Sequence, residues 1–187
     1  MSVAANYLEI TAKLFGYYKD LAEKSIAQLS DEQLHQRPDD SVNNIATLVK
    51  HMAGNMLSRF TDFLTTDGEK DWRNRDDEFE DIFASRAELL NRWNQGWDCL
   101  LSTLGSLKQE DCEAIVYIRN EGHTVLEAIA RQLAHYSYHC GQIVSIAKAI
   151  KLGSFTSLSI PKGGSQEFNQ AKFNAETERK FFTDGMK

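Results

Sequence analysis

The chain has 187 residues, 42% hydrophobic and 26% charged, with a formal net charge of −6. This length suits a single domain with a sizeable core. An acidic chain without a lysine or arginine cluster argues against a nucleic-acid partner, because phosphate neutralisation supplies most of that affinity.

The elements follow from hydrophobic spacing. A first helix is expected from about Val3 to Leu29, with Val3, Tyr7, Ile10, Leu14, Tyr17 and Leu21 as its apolar stripe. Ser30 then opens SDEQ, a capping-box pattern that predicts a brief helical turn, ended by Pro38. A second helix is expected from about Asn44 to Thr66. Ile45, Leu48, Val49, Met52, Met56, Phe60 and Phe63 define its buried face.

The stretch TTDGEKDWRNRDDEFED follows. It lacks the spacing of a calcium loop and reads as a long, exposed, solvated connection. A third helix is expected from Ser85, capped with Glu88, to Leu104, with Phe83, Ala87, Leu90, Trp97, Leu101 and Leu104 on its stripe. IVYI, at 115–118, is the one place where a short extended segment is expected. Thr124 and Glu127 repeat the capping spacing, so a fourth helix should run from there to Lys151, with Gly153 as its cap.

Beyond it, GSFTSLSIPKGGS reads as irregular chain. The final segment predicts a weak helix whose Phe168, Phe173, Phe181 and Phe182 need a surface to dock on. The expectation is an all-α four-helix bundle over 1–152, its longest connection between helices 2 and 3, and a C-terminal extension over 153–187. No run of about 18 apolar residues is present, so no membrane span is expected. The start, MSVAANYLEI, lacks the regions of a secretory leader, which makes a cytoplasmic location the default. Cys99, Cys112 and Cys140 are odd in number and form no C-x-x-C, against a disulfide framework or a cysteine-rich zinc site.

The chemistry concentrates in RQLAHYSYHCGQI, at 131–143. His135 and His139 stand four apart and therefore share one helix face, about 6 Å from each other. Their stripe continues through Gln132, Gln142 or Ile143, Ile146 and Ile150, residues expected to face the bundle interior. Histidines there need partners, since a buried polar group without one is costly. A metal ion satisfies both, given a third ligand.

His51, on the second helix beside Asn44 and Asn55, is the best third candidate. His123 lies roughly 18 Å from His135 along the axis, and His35 falls in a connection. On spacing alone, a three-histidine metal site and a hydrogen-bonded polar core both stay open.

LVKHMAGNMLSRFTDFL around His51 and EGHTVLEAIARQLAHYSYHCGQI around the pair resemble the DinB-like, or YfiT-like, superfamily. The tail SLSIPKGGSQEFN resembles an uncharacterised bacterial subgroup of it. The likeness runs from the first helix to about Asn169, and its most specific part is H-x-x-x-H-x-G-Q-I. It implies a four-helix bundle holding a divalent metal, often zinc or nickel, on His51, His135 and His139.

It also implies a function. Some relatives look like S-transferases that add a low-molecular-weight thiol, such as bacillithiol or mycothiol, to an electrophile; others resemble thiol-dependent isomerases. The leading expectation is a metal-dependent thiol transferase acting on a small molecule. Asn55, Gln132 and Gln142 are candidates for orienting the imidazoles. Arg119, Arg131 and Lys162 are candidates for an anionic part of the thiol cofactor. A metal-dependent hydrolase ranks lower, because no carboxylate stands at helical spacing beside the histidines. A non-catalytic metal-binding stress-response protein is the third reading. Bundles of this type often pair, so a homodimer is a further expectation.

Overall fold

The computed structural model describes residues 1–80 and 83–184. Residues 81–82 of the expected connection and 185–187 of the expected extension lie outside the described residues. The elements are α1 (Val3–Ile26), α2 (Asp31–Leu34), α3 (Ile45–Phe60), α4 (Arg86–Ser106), β1 (Ile115–Ile118), β2 (Glu121–Thr124), α5 (Val125–Lys151) and α6 (Ser165–Phe173). The protein is mostly helical, and the two strands pair antiparallel. Among the described residues, no helix is long and apolar enough to cross a membrane.

Side-chain caps set most helix starts. Ser2, Asn44, Ser85 and Thr124 each accept a backbone N–H from the first turn of α1, α3, α4 and α5. Reciprocal capping boxes form at Ser30 with Gln33 and at Thr124 with Glu127. The expected second helix is shorter than its apolar pattern: Thr61 turns extended and Asp62 takes φ 49°, so α3 stops at Phe60. The expected fourth helix ends in two left-handed residues, Leu152 (φ 43°) and then Gly153 (φ 91°).

The long helices pack α3 on α4 and α1 on α5, with further contacts of α3 to α5 and α1 to α4. Gly96 carries the tightest approach. A Cβ there would lie 2.8 Å from the Ala53 Cα, so only glycine lets α4 sit against α3. The core between them holds Trp93 and Trp97, both wholly buried, with Phe15 and Tyr136 packed edge-on to Trp97 at 6.3 and 6.1 Å. A buried side chain of this size contributes about 1.5–3 kcal/mol. An exposed pair such as Lys24–Asp20 contributes well under that. Apolar packing therefore holds the helices together.

Every residue expected on the buried face of the second helix is buried. The first helix is rotated from its expected stripe. Thr11, Phe15 and Ala22 are buried, one position on from Ile10, Leu14 and Leu21, and Val3 is 87% exposed. One residue is about 100° of helix, enough to move small Ala22 and Ser25 into the interface and the bulkier residues to its flank. On α4 the line runs through Leu89, Trp93, Trp97, Leu100 and Leu104, with Leu90 and Leu101 beside it.

IVYI does form a strand. Its hairpin turns at Arg119 and Asn120, both with positive φ (58° and 62°), as a two-residue turn between right-twisted strands requires. Neither residue is glycine, and the turn is fixed from outside. The Asp67 carboxylate accepts the backbone N–H of Arg119 and of Asn120, each at 2.8 Å. Gly68 N–H donates to the Tyr117 carbonyl at 2.7 Å. The connection expected to be solvated is thus laced to the hairpin. The extension carries α6, and its phenylalanines divide: Phe182 packs edge-on to Tyr17 at 5.1 Å, while Phe173 is 84% exposed.

Candidate metal centre

The core line of α5 passes through Gln132, Tyr136, Cys140 and Ile143, all buried. His135 and His139 stand one position to its side and are half-buried. They face a cleft, then, and not the packed interior expected of them. His51, buried on α3, meets them there.

One ring nitrogen from each of the three histidines lies within 4.8 Å of the others. The Nε2 atoms of His51 and His135 are 3.4 Å apart, and those of His139 and His135 are 3.0 Å apart. Nitrogens bound at about 2.0–2.1 Å in a tetrahedral site are separated by roughly 3.3 Å. The three imidazoles are close enough to hold one metal ion.

Their outer nitrogens decide which lone pairs face inward. The His51 Nδ1–H donates to Glu78 Oε2 at 2.9 Å. The His139 Nδ1–H donates to Gln142 Oε1 at 2.7 Å, and the Gln142 amide nitrogen donates to the Tyr138 hydroxyl at 3.1 Å, fixing the amide's orientation. An ionised carboxylate and an amide oxygen only accept, so both imidazoles hold their proton on Nδ1 and bare Nε2 toward one point. Burial, then the neighbouring His139 and His51, pushes His135 down to about 3. Burial also lowers His139, against the opposing Gln142 bond. Neutral imidazole is the ligand form, and this donor set fits a divalent ion. Imidazole alone does not choose between zinc, nickel, copper, cobalt or iron.

Glu78 is an exception within the connection, whose other described residues are exposed or half-buried apart from Gly68. It is buried, on a 3-10 turn over Asp76–Phe79, and Arg73 grips it through Nε–Oε1 at 2.8 Å and Nη2–Oε2 at 2.9 Å. Burial pushes its carboxyl up, but the bonds from His51 and Arg73 outweigh burial and hold it below its ordinary value. Gly54 makes the space. A Cβ there would run into Glu78 Oε1. No helical spacing links Glu78 to His51, so pattern alone missed it. The signal was a glycine inside an otherwise apolar helix, one turn beyond His51, which marks a close approach.

Of the other candidates, Gln142 orients His139 directly. Asn55 and Gln132 are buried one step away. With its amide oriented to satisfy every neighbour, Asn55 donates to Tyr136 and to Gln132 at 2.7 and 3.0 Å and accepts from Arg73 at 3.2 and 3.3 Å. They brace Arg73, which braces Glu78. His123 lies on β2 beside Arg131, at 3.1 Å, and His35 ends α2; neither joins the cluster. Cys140 is buried, which pushes its thiol up to about 12 and leaves it inert.

Beside the imidazoles opens a cleft of about 420 Å³. Arg119 and Arg131 line it, with Tyr138 and Phe79. Lys162 lies on the extension, outside it. Phe79 stacks on His51 at 5.0 Å and 27°.

These features define a helical protein with an open three-histidine centre braced by a carboxylate. The chain belongs to DUF1572, a family of proteins of unknown function, whose profile matches residues 2–164. Its fold is similar to that of a conserved protein from Enterococcus faecalis known from a crystal structure. The TM-score is 0.60 at 15% identity, over 80% of this chain and 98% of that one, a likeness of fold alone. No curated protein matches the chain.

Proposed function

We propose that the protein is a divalent-metal-dependent enzyme of the DinB-like, or YfiT-like, type: a four-helix bundle that transfers a low-molecular-weight thiol to an electrophilic small molecule. The observation that carries this reading is the convergence of two bare Nε2 atoms and the His135 ring beside an open cleft. Zinc or nickel is the expected ion. When bound, it would hold a thiol sulfur in its nucleophilic thiolate form.

The chain's residues would supply the rest. His51, His135 and His139 hold the ion with neutral nitrogens. Glu78 and Gln142 keep the proton on Nδ1 of His51 and His139 and stop those rings from turning. Phe79 covers one face of His51 and limits water there. The cleft leaves room for a thiol and an electrophile on the open side, as an exchangeable position on the ion requires.

Two other readings stand behind this one. A hydrolase needs a general base near bound water. Glu78 does arrive from the connection, but both of its oxygens are engaged by His51 and Arg73. A stress-response protein that only stores metal has no need of the cleft. Pairing of two copies and a cytoplasmic place of action are kept as expectations of the same reading.

The test is a panel of thiols (bacillithiol, mycothiol, glutathione, coenzyme A) against monochlorobimane, with zinc- or nickel-loaded protein. Adduct formation that disappears in His51→Ala and His139→Ala is expected. No adduct with any thiol above the protein-free rate would overturn the transferase reading.

A further inference from the structure

Five arginines line the cleft beside the imidazoles: Arg59, Arg73, Arg75, Arg119 and Arg131. No acidic side chain lines it among the described residues. They come from α3, the connection, the hairpin turn and α5, so no sequence cluster announces them. They form two tiers. Arg59 is buried, the Arg73 side chain is 2% exposed, and both are ion-paired, Arg59 to Glu69 and Arg73 to Glu69 and Glu78. Arg75, Arg119 and Arg131 are exposed at the rim.

The rim is undercompensated. Arg119 shares Glu69, at 3.0 Å, with the buried pair. Arg131 faces the imidazole of His123, which carries no negative charge. Arg75 lies over the Phe79 ring at 5.1 Å. Neither Arg75 nor Arg131 has a carboxylate partner among the described residues. Five guanidiniums thus face two carboxylates, in a chain whose net charge is −6.

Two details show that the wall is built. Arg119 sits at φ 58°, a conformation that a bulky residue rarely takes, held there by Asp67. Arg59 is buried, lines the cleft and is held by Glu69 at 3.1 Å. Repelling charges gathered in one concavity destabilise the empty fold. A ligand that neutralises them reverses that cost.

We propose that this wall binds a small organic dianion, a substrate or cosubstrate carrying carboxylate or phosphate groups, and holds its reacting end toward the three histidines. Guanidinium matches both oxyanions in bidentate geometry. A volume of about 420 Å³ admits a small molecule rather than a polymer. The role of the cleft as the place where substrate meets metal rests on the reading above; the anion site itself does not.

The experiment is calorimetric titration of the full chain with succinate, with inorganic phosphate, and with uncharged succinamide, at low ionic strength, with metal content measured on each sample. Succinate is expected to bind one to one, in competition with phosphate, and succinamide not at all. Arg75→Gln and Arg131→Gln each weaken succinate by about tenfold, the worth of a charged hydrogen bond. Lys162→Gln, outside the cleft, leaves it unchanged. Absence of saturable binding, equal binding of succinamide, or unaltered affinity in both rim variants would each overturn the proposal. A protein that binds metal but no succinate loses only this inference. One that binds succinate but no metal loses only the metal centre.

Discussion

The Glu78 carboxylate meets the His51 imidazole at 2.9 Å, Oε2 to Nδ1. The contact joins a residue from an irregular connection to one in the middle of α3, and it sets which nitrogen of His51 faces the cleft. Removing such a brace typically costs 10–100-fold in metal affinity. Glu78→Gln should therefore bind zinc about tenfold more weakly or worse, read by competition with a chromophoric chelator. Gly54→Ala should move affinity the same way, because its methyl would occupy the carboxylate's place. Unchanged affinity in both variants would show that Glu78 does not brace His51 for metal.

Gly96→Ala probes the scaffold apart from the site. Its Cβ meets backbone, the Ala53 Cα at 2.8 Å, which cannot swing aside. Overpacking of this kind costs about 1–3 kcal/mol. Denaturant unfolding should show that loss with the cooperativity of the transition unchanged.

Asp67 ties the connection to the hairpin, and its titration gives a pH signature. Burial pushes its carboxyl up, but the N–H groups of Asn120, Glu69 and Arg119 outweigh burial and hold it below its ordinary 3.8. A group whose folded value is depressed stabilises fully above the unfolded value and loses that contribution as pH falls through the folded one. Asp67→Asn should thus lower stability by about 1 kcal/mol at neutral pH. The difference from wild type should shrink below about pH 3.8 and vanish in stronger acid. A difference that grows as pH falls would contradict this.

The buried thiols supply a fourth expectation. Cys140 and Cys112 are both buried, and burial pushes both thiols up. Native-state alkylation with iodoacetamide, mapped by mass spectrometry, should modify neither ahead of unfolding. Rapid labelling of Cys140 would mean that the chain carries its own nucleophile beside the histidines and needs no external thiol.

Much of the scaffold was legible because helices advertise their caps. Ser30, Ser85 and Thr124 announced where helices begin, and the face of α3 was read residue by residue. Helix rotation was less legible: α1 carries apolar residues on adjoining stripes, and only packing against α5 chooses Phe15 and Ala22 over Leu14 and Leu21. The three histidines sit at helical positions, where spacing speaks. Glu78, Arg73 and Arg75 sit in a connection, where it does not. Their places are set by tertiary contacts with Gly54, Asn55 and Phe79, which no local pattern encodes.

The central claim is that His51, His135 and His139 hold a divalent ion. The most direct test is metal content by elemental mass spectrometry on untagged protein, beside His51→Ala and His139→Ala. About one ion per chain is expected in the wild type and its loss in both variants, with helical content preserved. A wild type that stays empty after incubation with zinc or nickel would contradict it, leaving three histidines as the polar edge of a helical core.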